Sequence, residues 1–314
     1  MSNDTKNKGI EASLKSMDTE EFIDIHFYRP IGYRWALLFQ KLGVHPNVVT
    51  IASIFIGVVA GVMFYFDDLK LNIIGMLLLI WANSYDSADG QLARLTGQKT
   101  QWGRMLDGFA GDLWFFSIYF FICLRFTVEH NWNVEKWQIV GVWLLAAFSG
   151  FICHSKQCAL ADYYRNIHLF FLKGKEGSEL DNFKQQRELL YSTPWKNHFW
   201  WKIWLFFYGN YTRSQESMSP NFQRFMTLVK EKYGDNSIPQ SLRDEFRALS
   251  KPLMKYSNIL TFNTRAIALF VCLFIGMPWL YFIFEITVMN VLFFYMRYRH
   301  EKISALLYNQ LKSK

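Results

Sequence analysis

Acidic side chains interrupt a strongly apolar part of this chain in one short stretch, from Asp86 to Asp112. An apolar run at residues 71–82 precedes the stretch, and another at residues 113–123 follows it. Ionisable residues inside membrane-grade sequence are costly and mark functional sites by default. On a helix, Asp86 and Asp89 fall on one stripe, and Asp107 enters from the next segment. The spacing therefore predicts three carboxylates that converge.

Converging carboxylates repel one another, and a bound divalent cation is the simplest way to neutralise them. The stretch contains no His or Cys. Oxygen-only ligands favour Mg²⁺ or Mn²⁺ over zinc. The sequence predicts a site for a hard divalent cation held by Asp86, Asp89 and Asp107.

The acidic residues belong to a longer pattern that includes small residues and one arginine. Its fixed positions are Asp86, Asp89, Gly90, Ala93, Arg94, Gly103 and Asp107. This pattern resembles the signature of the class I CDP-alcohol phosphotransferases, or CDP-alcohol phosphatidyltransferases, which are integral-membrane enzymes of phospholipid synthesis. The resemblance implies transfer of a phosphatidyl or phospho-alcohol group from a CDP-linked donor to an alcohol, with release of CMP. It also implies two Mg²⁺ or Mn²⁺ ions as cofactors.

The sequence departs from the family at the last position of the signature. The family has a fourth Asp four residues after the third, where this chain has Gly111, followed by Asp112. The resemblance gives the fourth Asp the role of general base, so Asp107 and Asp112 are the expected catalytic residues, and Asp112 the expected fourth metal ligand. A regular helix turns Asp112 about 100° away from position 111. A local π-bulge would restore it; otherwise the base lies elsewhere.

The resemblance assigns the remaining signature positions to the nucleotide. The expected nucleotide-binding residues are Gly90, Ala93, Arg94 and Gly103, together with Asn47 and Thr50 from the segment that begins the first span. Glycine lets the backbone approach a ligand closely, and arginine pairs well with phosphate. Each residue also has a plain structural alternative, namely helix packing for the glycines, capping for Asn47 and Thr50, and an interfacial position for Arg94.

A second polar group follows the fourth predicted span and could contact the acceptor alcohol. We expect the acceptor-binding residues to be His154, Lys156, Asp162, Arg165, Asn166 and, from the fifth span, Arg265. Helical spacing brings Asp162, Arg165 and Asn166 together. The alternative is a solvated helix end with a local ion pair between Asp162 and Arg165.

Hydropathy and composition predict an all-α, polytopic membrane bundle. Of the 314 residues, 51% are hydrophobic and 18% aromatic, which suits spans with interfacial aromatic belts. Six transmembrane helices are expected, with an N-terminal interfacial helix and a cytoplasmic helical insert. The predicted regions are residues 1–46 (N-terminus and interfacial helix), 47–158 (spans 1–4 with the motif), 159–255 (insert) and 256–314 (spans 5–6 and basic tail). Lysine and arginine concentrate in the insert and the ends of the chain, so the motif should face the cytoplasm.

The net charge of +8 indicates anionic membrane lipids and phosphate-bearing substrates as partners, and not nucleic acid. Basic residues near the site favour an anionic acceptor such as a sugar or inositol phosphate. The resemblance adds a homodimer.

Two other functions remain open, a transporter that uses the acidic cluster as a cation path and a non-catalytic membrane scaffold. The four cysteines lie in or beside apolar runs and are expected to be free thiols.

Overall fold

A computed structural model describes residues 16–130, 132–196, 198–234 and 238–313 of the chain. Helices and the turns between them make up this part of the chain, which contains no strand. The all-α prediction is confirmed. The described residues divide into two compact units, one of residues 16–153 and 263–287 and the other of residues 154–262 and 288–313.

The first unit contains the motif and seven helices. A short π-helical turn, Asp24–Tyr28, leads into the first of them. The helices are α1 (Arg29–Lys41), α2 (Pro46–Met63), α3 (Leu69–Thr96), α4 (Gln101–Glu129), α5 (Trp132–Ala147), α12 (Phe262–Phe274) and α13 (Leu280–Phe284). π-Helical segments follow α5 at Phe148–His154 and α13 at Glu285–Met289.

The second unit is built around α6 (Ser155–Lys173). Its other helices are α7 (Phe183–Ser192), α8 (Phe199–Ser217), α9 (Pro220–Tyr233), α10 (Gln240–Ser250), α11 (Met254–Ile259) and α14 (Asn290–Ser313), with short 3₁₀ turns at Lys175–Gly177 and Lys251–Leu253. Aromatic rings form much of its core. The ring of Phe171 stacks on Phe246 with centroids 3.9 Å apart, and Tyr164 stacks on His300 at 3.7 Å.

Among the described residues, five helical stretches are long and apolar enough to cross a membrane, which agrees with a polytopic protein. They are Pro46–Met63, Trp102–Glu129, Glu135–Lys173, Gln240–Phe274 and Leu280–Ser313. Helix α3 corresponds to the second of the six predicted spans but is not one of the five. The polar half of the motif occupies its C-terminal end and lowers its hydropathy. Its 28 residues nevertheless exceed the length that a bilayer requires.

Helix α2 packs against both α3 and α4 and so connects the two halves of the motif. Gly57 and Gly61 let it approach α4 closely. A Cβ atom on Gly57 would overlap the indole of Trp114, and one on Gly61 would overlap the hydroxyl of Ser117. The Trp114 indole donates a hydrogen bond to the carbonyl of Ser53 at 3.0 Å. These two glycines form a GxxxG sequence, which permits close helix packing.

The turn between α3 and α4 is specified by its own residues. Gly97 ends α3 in the left-handed conformation, at φ 69°, which glycine adopts without steric cost. Thr100 begins α4, and its hydroxyl accepts a hydrogen bond from the Gly103 amide at 2.9 Å. This short connection keeps Asp107, on α4, near the end of α3 that carries Asp86 and Asp89.

None of the four cysteines forms a disulfide, as predicted. Three of them, Cys123, Cys153 and Cys272, are buried, and Cys158 is half-buried.

Candidate metal centre and active site

Three carboxylates converge in the first unit. One oxygen from each of Asp86, Asp89 and Asp107 lies within 4.8 Å of the other two. Asp86 and Asp89 come from adjacent turns of α3, and Asp107 comes from the second turn of α4. Asp89 is buried, Asp86 is half-buried and Asp107 is exposed. The predicted convergence is therefore present.

The donor set fits a hard divalent cation. The Oδ2 atom of Asp89 is buried and has no hydrogen-bond partner among the described residues. A buried carboxylate oxygen without a partner costs free energy unless a cation or a proton neutralises it. A cation bound to all three groups would satisfy this oxygen and relieve the repulsion between the carboxylates. These residues would hold Mg²⁺ or Mn²⁺.

Asp112 is not part of this cluster. Helix α4 is a regular α-helix from Gln101 to Glu129, so the π-bulge that would have turned Asp112 toward Asp107 is not there. Gly111 occupies the position one turn after Asp107. A Cβ on Gly111 would meet no neighbouring atom of the described chain within 4 Å. Space for a fourth side chain exists on this face, but the chain places glycine in it.

The residues expected to bind nucleotide surround the carboxylates. The guanidinium of Arg94 folds back over Gly90, so that a Cβ on Gly90 would lie 3.4 Å from Nη1. Arg94 interacts electrostatically with both Asp89 and Asp107. Ala93 is half-buried on the same helix. Arg94 thus lies close to Gly90 and beside the acidic cluster.

Asn47 and Thr50 approach the cluster from the first turns of α2. The buried Thr50 hydroxyl lies beside the carboxylate of Asp89 and donates to the carbonyl of Pro46 at 3.2 Å. A Cβ on Gly103 would lie only 2.9 Å from the carboxamide oxygen of Asn47. The neighbouring helix at Gly103 is therefore α2. The glycine is needed because two helix ends meet at that point.

The predicted acceptor residues are distributed over both units. In the second unit, Asp162 accepts hydrogen bonds from Asn166 at 3.0 Å and from Gln215 and Tyr211 of α8, both at 3.3 Å. Arg165 instead donates to Asn258 at 3.3 Å. Asp162 and Arg165 thus have separate hydrogen-bond partners, and the alternative of a local ion pair between them stays a prediction.

Two further acceptor candidates begin the second unit and differ in exposure. His154 is buried and Lys156 is exposed. Their roles, like those of Asp162, Arg165 and Asn166, stay predictions.

Arg265 lies in the first unit and is fully buried. It pairs with Glu285, which is also fully buried and accepts hydrogen bonds from Tyr119, Ser149 and Tyr281. The Ser149 and Tyr281 hydroxyls donate at 2.7 Å. Arg265 thus has an ion-pair partner within the first unit. The acceptor role proposed for it stays a prediction.

A comparison with protein families identifies the segment that carries the motif. Residues 43–163 match the family model of CDP-alcohol phosphatidyltransferase. This segment is similar to the CDP-alcohol phosphatidyltransferases. It contains helices α2 to α5 and the first turns of α6, and hence all seven signature positions.

A curated relative supports the same family. The chain is 33% identical over 106 residues to an archaetidylinositol phosphate synthase of Pyrococcus horikoshii. The aligned part is 34% of this chain and 54% of the relative, so the chain spans about half the length of that protein. No solved structure matches the chain. Residues 164–313, which include most of the predicted insert and the last helices, lie outside the matched segment.

Two residues near the carboxylates were missed by sequence reasoning. Arg29 and Glu20 form an ion pair at the start of α1, and both interact electrostatically with groups of the motif. Their distance from the motif in sequence gave no signal for this.

Proposed function

We propose that this protein is a metal-dependent CDP-alcohol phosphotransferase of phospholipid synthesis. It transfers a phosphatidyl or phospho-alcohol group from a CDP-linked donor to an alcohol and releases CMP. The observation that carries the proposal is the convergence of Asp86, Asp89 and Asp107 within a domain of this family, with one buried carboxylate oxygen left without a partner.

Asp86, Asp89 and Asp107 would hold Mg²⁺ or Mn²⁺, and two such ions are expected. When bound, the metal polarises the attacked phosphorus and stabilises the charge on the departing CMP oxygen. Arg94 lies close to Gly90 and would contact a phosphate of the donor. Asn47, Thr50, Ala93 and Gly103 complete the proposed nucleotide site.

The acceptor hydroxyl must lose a proton as its oxygen bonds to phosphorus and the bond from phosphorus to the CMP oxygen breaks. Asp107 is the exposed member of the cluster, so an incoming alcohol can approach its carboxylate. We assign this proton to a carboxylate oxygen of Asp107. Asp112 stays a candidate for the same role, but its place outside the cluster gives that role no support.

We propose an anionic acceptor, a sugar or inositol phosphate. The relative is named as an archaetidylinositol phosphate synthase, which points to an inositol phosphate headgroup. Exposed Lys156 and the net charge of +8 suit an anionic acceptor. The His154, Asp162, Arg165, Asn166 and Arg265 assignments belong to this part of the proposal. The motif would face the cytoplasm, and a homodimer is part of the same proposal.

CMP release from purified protein tests the function. The assay uses CDP-diacylglycerol with inositol, inositol phosphate, glycerol phosphate or serine, and CDP-choline or CDP-ethanolamine with diacylglycerol or ceramide. We expect CMP only when Mg²⁺ or Mn²⁺ is present, and most of it with inositol phosphate. Absence of metal-dependent CMP with every pair would contradict the proposal and favour the transporter or the scaffold.

A further inference from the structure

The start of α1 packs directly against the motif helix. A Cβ on Gly32 would lie 2.8 Å from the hydroxyl of Ser87 and 2.9 Å from the Gln91 amide nitrogen. Gln91 also donates to the carbonyl of Arg29 at 3.2 Å. Ser87 follows the metal-ligand candidate Asp86 in sequence, and Gln91 lies one turn later on α3. These contacts fix Arg29 next to the acidic cluster.

The segment before α1 is also held in place. Asn263 of α12 donates to Glu21 at 2.7 Å and to Asp24 at 3.0 Å. Tyr28 is buried beside Asn83 of α3, and burial raises the pKa of the Tyr28 hydroxyl to about 12. The residues around Glu20 and Arg29 are therefore an ordered part of the first unit.

The guanidinium of Arg29 has donors left after its protein contacts. Its Nε donates to Glu20 Oε2 at 2.8 Å and its Nη2 to Glu20 Oε1 at 3.2 Å. Its Nη1 donates to Ser87 Oγ at 3.4 Å. A guanidinium has five N–H groups, so two have no partner among the described residues. The side chain is 21% exposed, so part of it is accessible to a ligand.

The charge of Arg29 acts on the motif. It attracts the carboxylate of Asp86 and repels Arg94, and Glu20 in turn attracts Arg94. Two cations thus flank the carboxylates, Arg94 from the signature and Arg29 from outside the matched segment. A purely structural ion pair would explain the contact with Glu20. It would not explain why two N–H groups of Arg29 stay open near the proposed site of phosphoryl transfer.

We propose that Arg29 is a further phosphate-binding residue of this site. Its two open N–H groups would bind oxygens of a phosphate, while Glu20 holds the guanidinium in orientation. The phosphate belongs either to the diphosphate of the donor or to a phosphorylated acceptor. This inference rests on the proposed function, because it takes the acidic cluster as the site of phosphoryl transfer.

Ligand-induced thermal stabilisation of the purified full chain, with Mg²⁺ present, tests the inference without needing turnover. The probes are CDP, which carries the diphosphate, and inositol phosphate, which carries the acceptor phosphate. For Arg29→Gln we expect the affinity for one probe to fall roughly 10- to 100-fold, the usual effect of losing hydrogen bonds to a charged group. Loss with CDP assigns Arg29 to the donor, and loss with inositol phosphate assigns it to the acceptor.

Three further variants separate binding from folding. Arg29→Lys keeps the charge but loses the planar fork, so it should recover only part of the affinity. Glu20→Gln combined with Arg29→Gln avoids leaving a carboxylate unpaired and should bind as weakly as Arg29→Gln alone. The control, Arg34→Gln, changes an exposed arginine of the same helix and should bind both probes normally.

Unchanged affinity of the folded Arg29→Gln protein for both probes would overturn the inference and leave Arg29 a structural residue. CMP release by the wild-type protein is measured in parallel. Absence of release with normal probe binding would count against the proposed function alone. Release with unchanged probe binding in Arg29→Gln would count against this inference alone.

Discussion

At the scale of single residues, the buried carboxylate of Asp89 combines a folding cost with a functional role. Without a cation its Oδ2 has no partner among the described residues, and two other carboxylates lie nearby. Grouped like charges destabilise a folded protein, and a cation that binds only the folded state stabilises it. Stability and metal binding should therefore respond in opposite directions to loss of this charge.

Asp89→Asn should raise the melting temperature of the metal-free protein and remove most of the stabilisation by Mg²⁺. Asp107→Asn should have a smaller effect on stability because Asp107 is exposed. Both variants should lose CMP release by at least about 100-fold, since each removes a ligand of the reacting metal. Thermal unfolding with and without Mg²⁺, together with the CMP assay, checks this. Near-normal turnover by either variant would refute the ligand assignment.

Asp112→Asn distinguishes a shifted general base from a bystander. Loss of a general base costs about 10²- to 10⁴-fold in rate. Because Asp112 lies outside the cluster on a regular helix, we expect a loss of less than about tenfold. The kcat for CMP release is the measurement. A loss of 100-fold or more would return the base role to Asp112.

Gly111→Asp is the matched variant. A side chain at this position meets open space, one turn from Asp107. We expect it to fold normally and to bind Mg²⁺ more tightly than the wild type. Weaker Mg²⁺ binding in a folded protein would show that position 111 does not face the cluster.

At the scale of helices, the distance between α2 and α4 sets the distance between Asp89 and Asp107. Gly57 allows this approach, since a Cβ there would overlap the buried indole of Trp114. Asp89 is tied to α2 through Thr50, and Asp107 depends on α4. Packing far from the carboxylates therefore controls the geometry of the metal site.

Gly57→Ala should destabilise the protein by about 1–3 kcal/mol, the usual cost of overpacking a well-packed interior. It should also weaken Mg²⁺ binding, because α4 must shift to admit the methyl group. Gly141→Ala is the control, since a Cβ there meets no neighbouring atom of the described chain within 4 Å. It should be neutral or slightly stabilising. Equal stability of the two variants would refute the proposed packing constraint.

At the scale of the whole molecule, the charge distribution predicts which side of the membrane each turn occupies. Lys99, in the turn between α3 and α4, should lie on the cytoplasmic side with the motif. Lys70, at the opposite end of α3, should lie outside. Both side chains are exposed. A helix of 28 residues is long enough to separate them across a bilayer.

Cysteine substitution tests this orientation. We expect Lys70→Cys to react with a membrane-impermeant maleimide in intact cells and Lys99→Cys to react only after the membrane is opened. The wild type, whose four cysteine side chains are buried or half-buried, is the background control. Labelling of both positions from the outside would show that α3 does not cross the membrane. Reversed labelling would place the motif on the outer face.

Sequence reasoning located the acidic cluster because helical periodicity and the fixed signature spacing determine which residues share a face. It found the apolar spans for the same kind of reason, since hydropathy is a local property. It did not find the neighbour of Gly103, the partners of Asp162, or the approach of Arg29. Each of these depends on which helix packs against which, and one sequence contains no direct signal for that.

The buried pair of Arg265 and Glu285 has a consequence for how the protein enters the bilayer. Arg265 lies near the start of α12, and Glu285 begins the π-helical segment after α13. An unpaired ion at the centre of a membrane helix adds about 2.5–3.5 kcal/mol to the cost of insertion. Because the two charges neutralise one another, most of this insertion cost is avoided only when both segments are present. Helix α12 and the segment that begins with α13 should therefore leave the translocon together as one cooperative unit, and not one helix at a time.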